Sequence, residues 1–491
     1  MDALRFITCG SVDDGKSTLI GRLLLDSKAV LQDHLAGIAH SGHNPAHDDA
    51  DEADAGAQLD LARLTDGLMA EREQGITIDV AYRYFSSERR KFIIGDAPGH
   101  EQYTRNMVTA ASSADAAVLL VDATKLDWQR PDLVLLAQTR RHALLCHLLR
   151  VPSLVFAVNK LDAVADAALA FAHIRAALLR FAEQAGLAAH AVLPISALKG
   201  WNVVDRGHGH DGWCGYHGPT LLEVLEQLPN TAPAPEAALA FPVQWVEKPG
   251  AADVEAAELS AAGAAGAAGA SNTAGTVAPA QAHSRRVFWG RIAAGRVQAG
   301  DEVQVFPSGQ RARVVQVLNR CRQPQAVDAG HSAGVLLERE LDVSRGDWLL
   351  ASPATASPGA DAAAAALANA VAVAPLGQSV PAASSPYPAR HSLSATVAWL
   401  DDEALQPGRL YWALHQHRWV KAKVTRVLHR LDIHTLEQQS AERLEANGIG
   451  RVELQLQAPL PALAYAQSRA LGALILVDSA SHRTAAAVLL D

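Results

Sequence analysis

The segment Gly10-Ser11-Val12-Asp13-Asp14-Gly15-Lys16-Ser17-Thr18 satisfies GxxxxGK[ST] and follows directly on an apolar run, Leu4–Cys9. Glycines at this spacing let backbone N–H groups turn inward around a phosphate chain. Lys16 adds a positive charge near the β and γ oxygens, and the Ser17 hydroxyl can ligate Mg²⁺. The helical pattern that begins at Lys16 points its N-terminal partial charge at the same phosphates.

Three further tetrapeptides complete a constellation. Asp96-Ala97-Pro98-Gly99 closes the run Lys91–Ile94 and is followed by His100. The Asp96 carboxylate can hold the magnesium, and the Gly99 N–H can meet a γ-phosphate whose loss would release the loop. Asn159-Lys160-Leu161-Asp162 offers a carboxylate able to accept from N1 and the 2-amino group of guanine, which adenine lacks. Ser196-Ala197-Leu198-Lys199 offers backbone N–H groups for the guanine O6. Each alone is weak, but four in this order imply a guanine-nucleotide site. Thr77, in Gly75-Ile76-Thr77-Ile78, is spaced to complete the Mg²⁺ shell with Ser17 and Asp96. His100 stands where a side chain can orient an attacking water. His100, Lys16 and Thr77 are therefore the expected catalytic residues.

These motifs need a scaffold that gathers strand ends. Apolar runs at Leu4–Cys9, Lys91–Ile94, Ala117–Val121, Leu154–Val158 and Ala191–Ile195 alternate with helical patterns at Lys16–Leu25, Thr104–Ser113, Asp132–Leu149 and Ala163–Ala185. That alternation predicts an α/β domain over residues 1–230, a mostly parallel sheet with helices on both faces and ligands at the strand C-termini. Beyond Pro229 the pattern shortens. Strand-like stretches at Phe241–Val246, Arg286–Ile292, Glu302–Phe306, Ala312–Val317 and Gly334–Leu337 predict a β-barrel over 238–351. Others at Ala395–Leu400, Trp419–Val427, Gly450–Leu456 and Leu471–Val477 predict a second over 388–491. The stretches 250–284 and 352–387 are rich in Ala, Gly, Ser and Pro. They carry too little bulky apolar surface to offset chain entropy and are expected to be a low-complexity insertion and linker.

The phosphate-loop domain, the two barrels behind it and Glu73-Gln74-Gly75-Ile76-Thr77-Ile78 resemble the elongation factor Tu superfamily. The loop Gly10–Thr18, the run 66–85, the run 99–107, Gly218-Pro219-Thr220-Leu221-Leu222-Glu223, Ser344-Arg345-Gly346-Asp347 and Asn447-Gly448-Ile449-Gly450 are similar to one branch of it. That branch is the GTPase (large) subunit of bacterial sulfate adenylyltransferase. The resemblance implies GTP binding and hydrolysis, with GTP and Mg²⁺ as ligands. It also implies a smaller ATP-binding partner subunit that makes adenosine 5′-phosphosulfate and pyrophosphate from ATP and sulfate. Some relatives carry a fused adenylyl-sulfate kinase; no second GxxxxGK[ST] occurs in these 491 residues, so that activity is not expected.

Composition narrows the alternatives. A formal net charge of −9 disfavours a nucleic-acid binder, and with it the competing reading of a translation-factor-like GTPase that delivers aminoacyl-tRNA. A free-standing signalling GTPase is the third reading. Cys9, Cys146, Cys214 and Cys321 lie far apart with no CxxC pair, as in a reducing compartment. MDALRFITCG lacks signal-peptide character and no apolar run is long enough to span a bilayer, so no membrane partner and a cytoplasmic location are expected. His40, His43 and His47 with Asp48 and Asp49, and His208, His210, Asp211, Cys214 and His217, lie in Gly/Asp-rich stretches without paired metal spacing and are read as solvated surface. Arg140-Arg141-His142 is read as a helix face or partner contact.

Overall fold

A computed structural model describes residues 3–27, 80–99, 104–206, 213–230, 237–248, 285–352, 386–432 and 435–491. Thr77, His100, the His40–Asp49 and His208–Asp211 groups, and nearly all of the two low-complexity stretches lie outside the described residues. The chain divides into two units, Met1–Thr231 with Arg430–Ser440, and Ala232–His429 with Ala441–Asp491.

The first unit is built on a six-stranded sheet in the order β2-β3-β1-β4-β5-β6. Its strands are β1 (Leu4–Cys9), β2 (Ala81–Ser86), β3 (Lys91–Asp96), β4 (Ala116–Asp122), β5 (Ser153–Asn159) and β6 (Ala189–Pro194). Strands β3, β1, β4, β5 and β6 run parallel, and β2 pairs antiparallel at the edge. Strands β4 and β5 are buried at every position, which is why they read as unbroken apolar runs rather than alternating ones. Strand β2, by contrast, exposes Tyr82 and Tyr84 and alternates like an edge strand, so no apolar run announces it.

The helices of this unit are α1 (Lys16–Asp26), α2 (Thr104–Ser112), α3 (Ala137–Leu148), α4 (Ala167–Gln184) and α5 (Leu221–Gln227). Helix α4 starts four residues later than its apolar pattern suggests. The Asp166 side chain accepts from Leu169 N at 3.0 Å, and that cap resets the helix start. Helix α5 begins with a capping box between Thr220 and Glu223. The core packs Leu4, Phe6, Leu19, Ile20, Leu23, Val118, Leu120 and Val155 between sheet and helices.

The second unit is antiparallel. Strands β7 (Ala240–Pro242), β8 (Trp245–Glu247), β9 (Val287–Arg291), β10 (Arg296–Val297), β11 (Glu302–Phe306), β12 (Arg311–Leu318), β13 (Val327–Asp328), β14 (Ser332–Leu337) and β15 (Trp348–Ala351) form its first part. Seven of them pair in the order β7-β15-β11-β12-β14-β9-β8. The predicted strand Phe241–Val246 is thus two strands at opposite ends of one sheet. Only Val243 and Gln244 separate them, so this segment brings the sheet round on itself. The second part comprises β16 (Ala389–Trp399), β17 (Leu410–His415), β18 (Arg418–Leu431), β20 (Ile449–Pro461), β21 (Ala473–Asp478) and β22 (Thr484–Leu490); the two-residue β19 (Gln438–Gln439) lies in the Arg430–Ser440 segment grouped with the first unit. The order β17-β21-β22-β16-β20-β18, with β17 also paired to β18, closes a six-stranded barrel. Among the described residues no helix is long and apolar enough to cross a membrane, and all four cysteines are free.

Candidate functional site

Parallel register carries the motifs of the first unit to one edge of the sheet. Thr8 lies opposite Asp96, Asp122 opposite Asn159 and Val158 opposite Pro194. The residues after β1, β3, β5 and β6, far apart in sequence, are consequently neighbours.

The phosphate-loop backbone leaves the ordinary regions at Gly10 (φ 151°), Asp13 (φ 63°) and Gly15 (φ 93°). A Cβ at Gly15 would collide with the Asn159 carboxamide, so only glycine fits there. Lys16 is buried, and its Nζ donates to Gly10 O at 3.2 Å and Ser11 O at 2.7 Å. Burial lowers its pKa, while Asp96 and Asp14 pull it back up. At Gly99 a Cβ would meet Lys16 Nζ and Gly10 O, which places the Asp96–Gly99 segment against the phosphate loop.

Asn159 ties two motifs together. Its Nδ2 donates to Asp14 O at 2.8 Å, and its Oδ1 accepts from Ala197 N at 3.0 Å. Lys160, itself at φ 61°, reaches back to Asp13 O and to Asp122 Oδ2 at 2.8 Å. Asp162 is faced by Lys199 Nζ at 3.8 Å, and that ammonium also lies over the Trp201 ring. In the last tetrapeptide Ser196 N donates to Trp201 O, Ala197 N to Asn159 Oδ1, and Lys199 N to Ser196 Oγ. Leu198, with its side chain exposed, keeps the one N–H of the four that no described residue takes up.

The residues present suit a magnesium ion. Ser17 lies in the first turn of α1. Asp96 is buried at the end of β3, and its Oδ1 accepts from Thr8 Oγ1 at 3.2 Å. A hydroxyl and a carboxylate fixed beside a phosphate loop are the hard oxygen donors that Mg²⁺ prefers.

Three residues of this region, Asp122, Lys125 and Gln138, were not singled out from sequence, and Arg141 and His142 were read there only as a helix face or partner contact. Asp122 ends β4 and is buried; burial would raise its carboxyl pKa, but donors from Lys160 and Thr124 hold it below the usual value. Lys125 bridges to Asp14 at 2.9 Å. On α3, Gln138 Nε2 donates to Gly99 O at 3.3 Å and lies 2.9 Å from His142 Nε2, while Arg141 Nη1 donates to Gln138 Oε1 at 3.3 Å. Burial, with Lys16 and Arg141 nearby, pushes His142 down to about 3, so its ring is neutral and can accept from Gln138. The stretch Arg140–His142 is therefore partly interior, with His142 packed behind the Gly99 segment. The signal for Asp122 was available: it stands at a strand end, like Asp96 and Asn159.

The elongation factor Tu GTP binding domain family matches residues 1–233, and the GTP-eEF1A C-terminal domain-like family matches residues 392–490. Sulfate adenylyltransferase subunit 1 of Laribacter hongkongensis is 38% identical over 483 residues, which cover 98% of this chain and 84% of that one. The chain belongs to the sulfate adenylyltransferase subunit 1 family. The Salmonella typhi subunit 1 is likewise 38% identical over 485 residues, covering 99% of this chain and 84% of that protein. The bifunctional enzyme CysN/CysC of Xylella fastidiosa is 41% identical over 488 residues; the chain spans 65% of that longer protein. As a member of the subunit 1 family it is an enzyme subunit with a nucleotide domain of the GTP-binding type.

Proposed function

We propose that the chain binds and hydrolyses GTP at the C-terminal edge of the six-stranded sheet. In this reading, hydrolysis is coupled to synthesis of adenosine 5′-phosphosulfate and pyrophosphate from ATP and sulfate on a smaller ATP-binding partner subunit. The observation that carries the reading is the Asn159 carboxamide, which holds the phosphate loop and the Ser196–Leu198 segment in one hydrogen-bonded unit. Residues 10–18 would cradle the phosphates, with Lys16 exchanging carbonyl partners for phosphate oxygens. Residues 96–100 would sense the γ-phosphate. Asp162 would pair with guanine N1 and the 2-amino group, and the Leu198 N–H with O6.

Ser17, Asp96 and Thr77 would hold Mg²⁺, which when bound supplies positive charge to the β and γ oxygens. His100 would orient the attacking water. In the partner's reaction a sulfate oxygen bonds the α-phosphorus of ATP as pyrophosphate leaves. The phosphate–sulfate anhydride is a high-energy product, so the unaided equilibrium favours ATP. A switch whose GTP and GDP states bind the partner's intermediates differently can move that equilibrium, by no more than the difference in affinity. The nucleotide domain would span residues 1–230, with barrels at 238–351 and 388–491, in a cytoplasmic heteromer.

The test mixes the chain with its partner subunit, ATP and sulfate, without pyrophosphatase, and measures adenosine 5′-phosphosulfate at long times. The end point should rise when GTP is added. Replacing His100 by Ala should retain GTP binding, slow turnover roughly 10²–10⁴-fold and abolish the rise. An end point indifferent to GTP would contradict the coupling.

A further inference from the structure

The phosphate loop contains a feature opposed to its purpose: the carboxylate of Asp14, only 1% exposed. Its Oδ2 accepts from Ser11 N at 2.6 Å and so fixes the turn of the loop. A negative charge buried in a loop that receives phosphates needs compensation. Lys125, at the end of the short helical turn Ala123–Lys125 after β4, supplies it. Its Nζ lies 2.9 Å from Asp14 Oδ1 and also donates to Val12 O. Its other acidic neighbour, Asp122 Oδ2, is 3.9 Å away and is held more closely by Lys160 at 2.8 Å.

We infer that Lys125 is a positioning residue of the nucleotide site, neutralising Asp14 so that this carboxylate can shape the loop without repelling phosphate. The inference rests on the guanine-nucleotide reading of the site. Lys16 also feels the Asp14 charge. Without Lys125 the Lys16 ammonium is drawn towards that carboxylate and away from the phosphates. The arrangement divides the work between two lysines: Lys16 serves the ligand and Lys125 serves the loop.

The experiment measures GDP affinity of the full chain by fluorescent-nucleotide titration, with thermal unfolding as a control. Lys125→Met should weaken GDP binding ~30-fold or more, the scale of leaving a buried charge without its partner. Lys125→Arg should stay near the parent. The decisive protein is the double variant Lys125→Met with Asp14→Asn, which removes both charges while the new carboxamide retains an acceptor for Ser11 N–H. Recovery to within about threefold of the parent supports the inference, and this variant decides the matter even if Lys125→Met alone folds poorly. A double variant as weak as Lys125→Met, or an unchanged affinity in Lys125→Met, would overturn it and leave the site reading intact. A parent chain that binds no GDP would remove both.

Discussion

The nucleotide edge of the first unit clusters buried charges that the interior of the second unit largely does without. The first buries Asp14, Lys16, Asp96 and Asp122 and sets opposite charges or donors against them: Lys125 on Asp14, Lys160 on Asp122, Thr8 on Asp96. The second packs Trp348, Trp399, Tyr411 and a neutral His415 in its interior, and its one carboxylate buried as deeply among the described residues, Asp478, sits at the end of β21 against Arg409 at 2.7 Å. His415 Nε2 meets Leu471 O at 3.1 Å, and its ring stacks on Trp348 at 5.3 Å. The difference teaches what each region is for. Charges already desolvated and held at a strand edge can exchange partners when a charged ligand arrives, at little reorganisation cost. A close-packed interior of mostly apolar side chains answers chiefly to volume and shape.

Disrupting each region should therefore have separate consequences. The largest effect expected is on the packed side. Trp348→Ala should remove about 3–5 kcal/mol from unfolding of the second unit, measured by denaturant titration, while GDP affinity changes little. Equal loss of both would mean that the two regions are not independent.

On the charged side, Lys16→Ala should cost nucleotide binding about 3 kcal/mol, on the order of 100-fold. GTP turnover should be lost with it and stability nearly unchanged; calorimetric titration with GDP checks this. Normal turnover in this variant would contradict the assignment of the phosphate loop.

A more gradual effect should appear with pH. Burial lowers His415 to about 4, against about 6.5 when unfolded. From about pH 7.5 upward both states are neutral and stability is flat. As pH falls from 6.5 to 4 only the unfolded state gains a proton, so stability declines, by up to roughly 3 kcal/mol from this group. Unfolding followed between pH 7 and pH 4 should show that slope, and His415→Phe should flatten part of it. A slope unaltered in the variant would assign the proton elsewhere, with the buried His142 as the next group to examine.

Much of the charged edge was legible in the sequence alone. The runs at β1, β4 and β5 are apolar because both sheet faces are covered; the phosphate-loop motif follows β1 and the Asn159–Asp162 motif starts at the end of β5. What escaped were residues acting through another residue: Lys125 through Asp14, Gln138 through Gly99 O, and the place of His142 behind Gln138. No spacing rule connects position 14 to 125; parallel register does. In the second unit strand ends were less legible for a related reason. Strand β17 carries Trp412 and Leu414 on a half-exposed face, and β22 is alanine-rich, so neither shows the clean alternation of a one-sided strand. The split of Phe241–Val246 reflects ring closure, a property of the whole sheet that no local pattern encodes.

The central claim is that these strand ends read guanine. Asp162 is the residue proposed to do so, and its carboxylate faces Lys199 at 3.8 Å. Asp162→Asn replaces an acceptor of two hydrogen bonds by a group that can also donate, which suits xanthine. Affinities of the parent and of Asp162→Asn for GDP and XDP, measured side by side, test the claim most directly. The variant should lose GDP and gain XDP, reversing the order of preference. A variant with unchanged GDP affinity and no gain for XDP would contradict it.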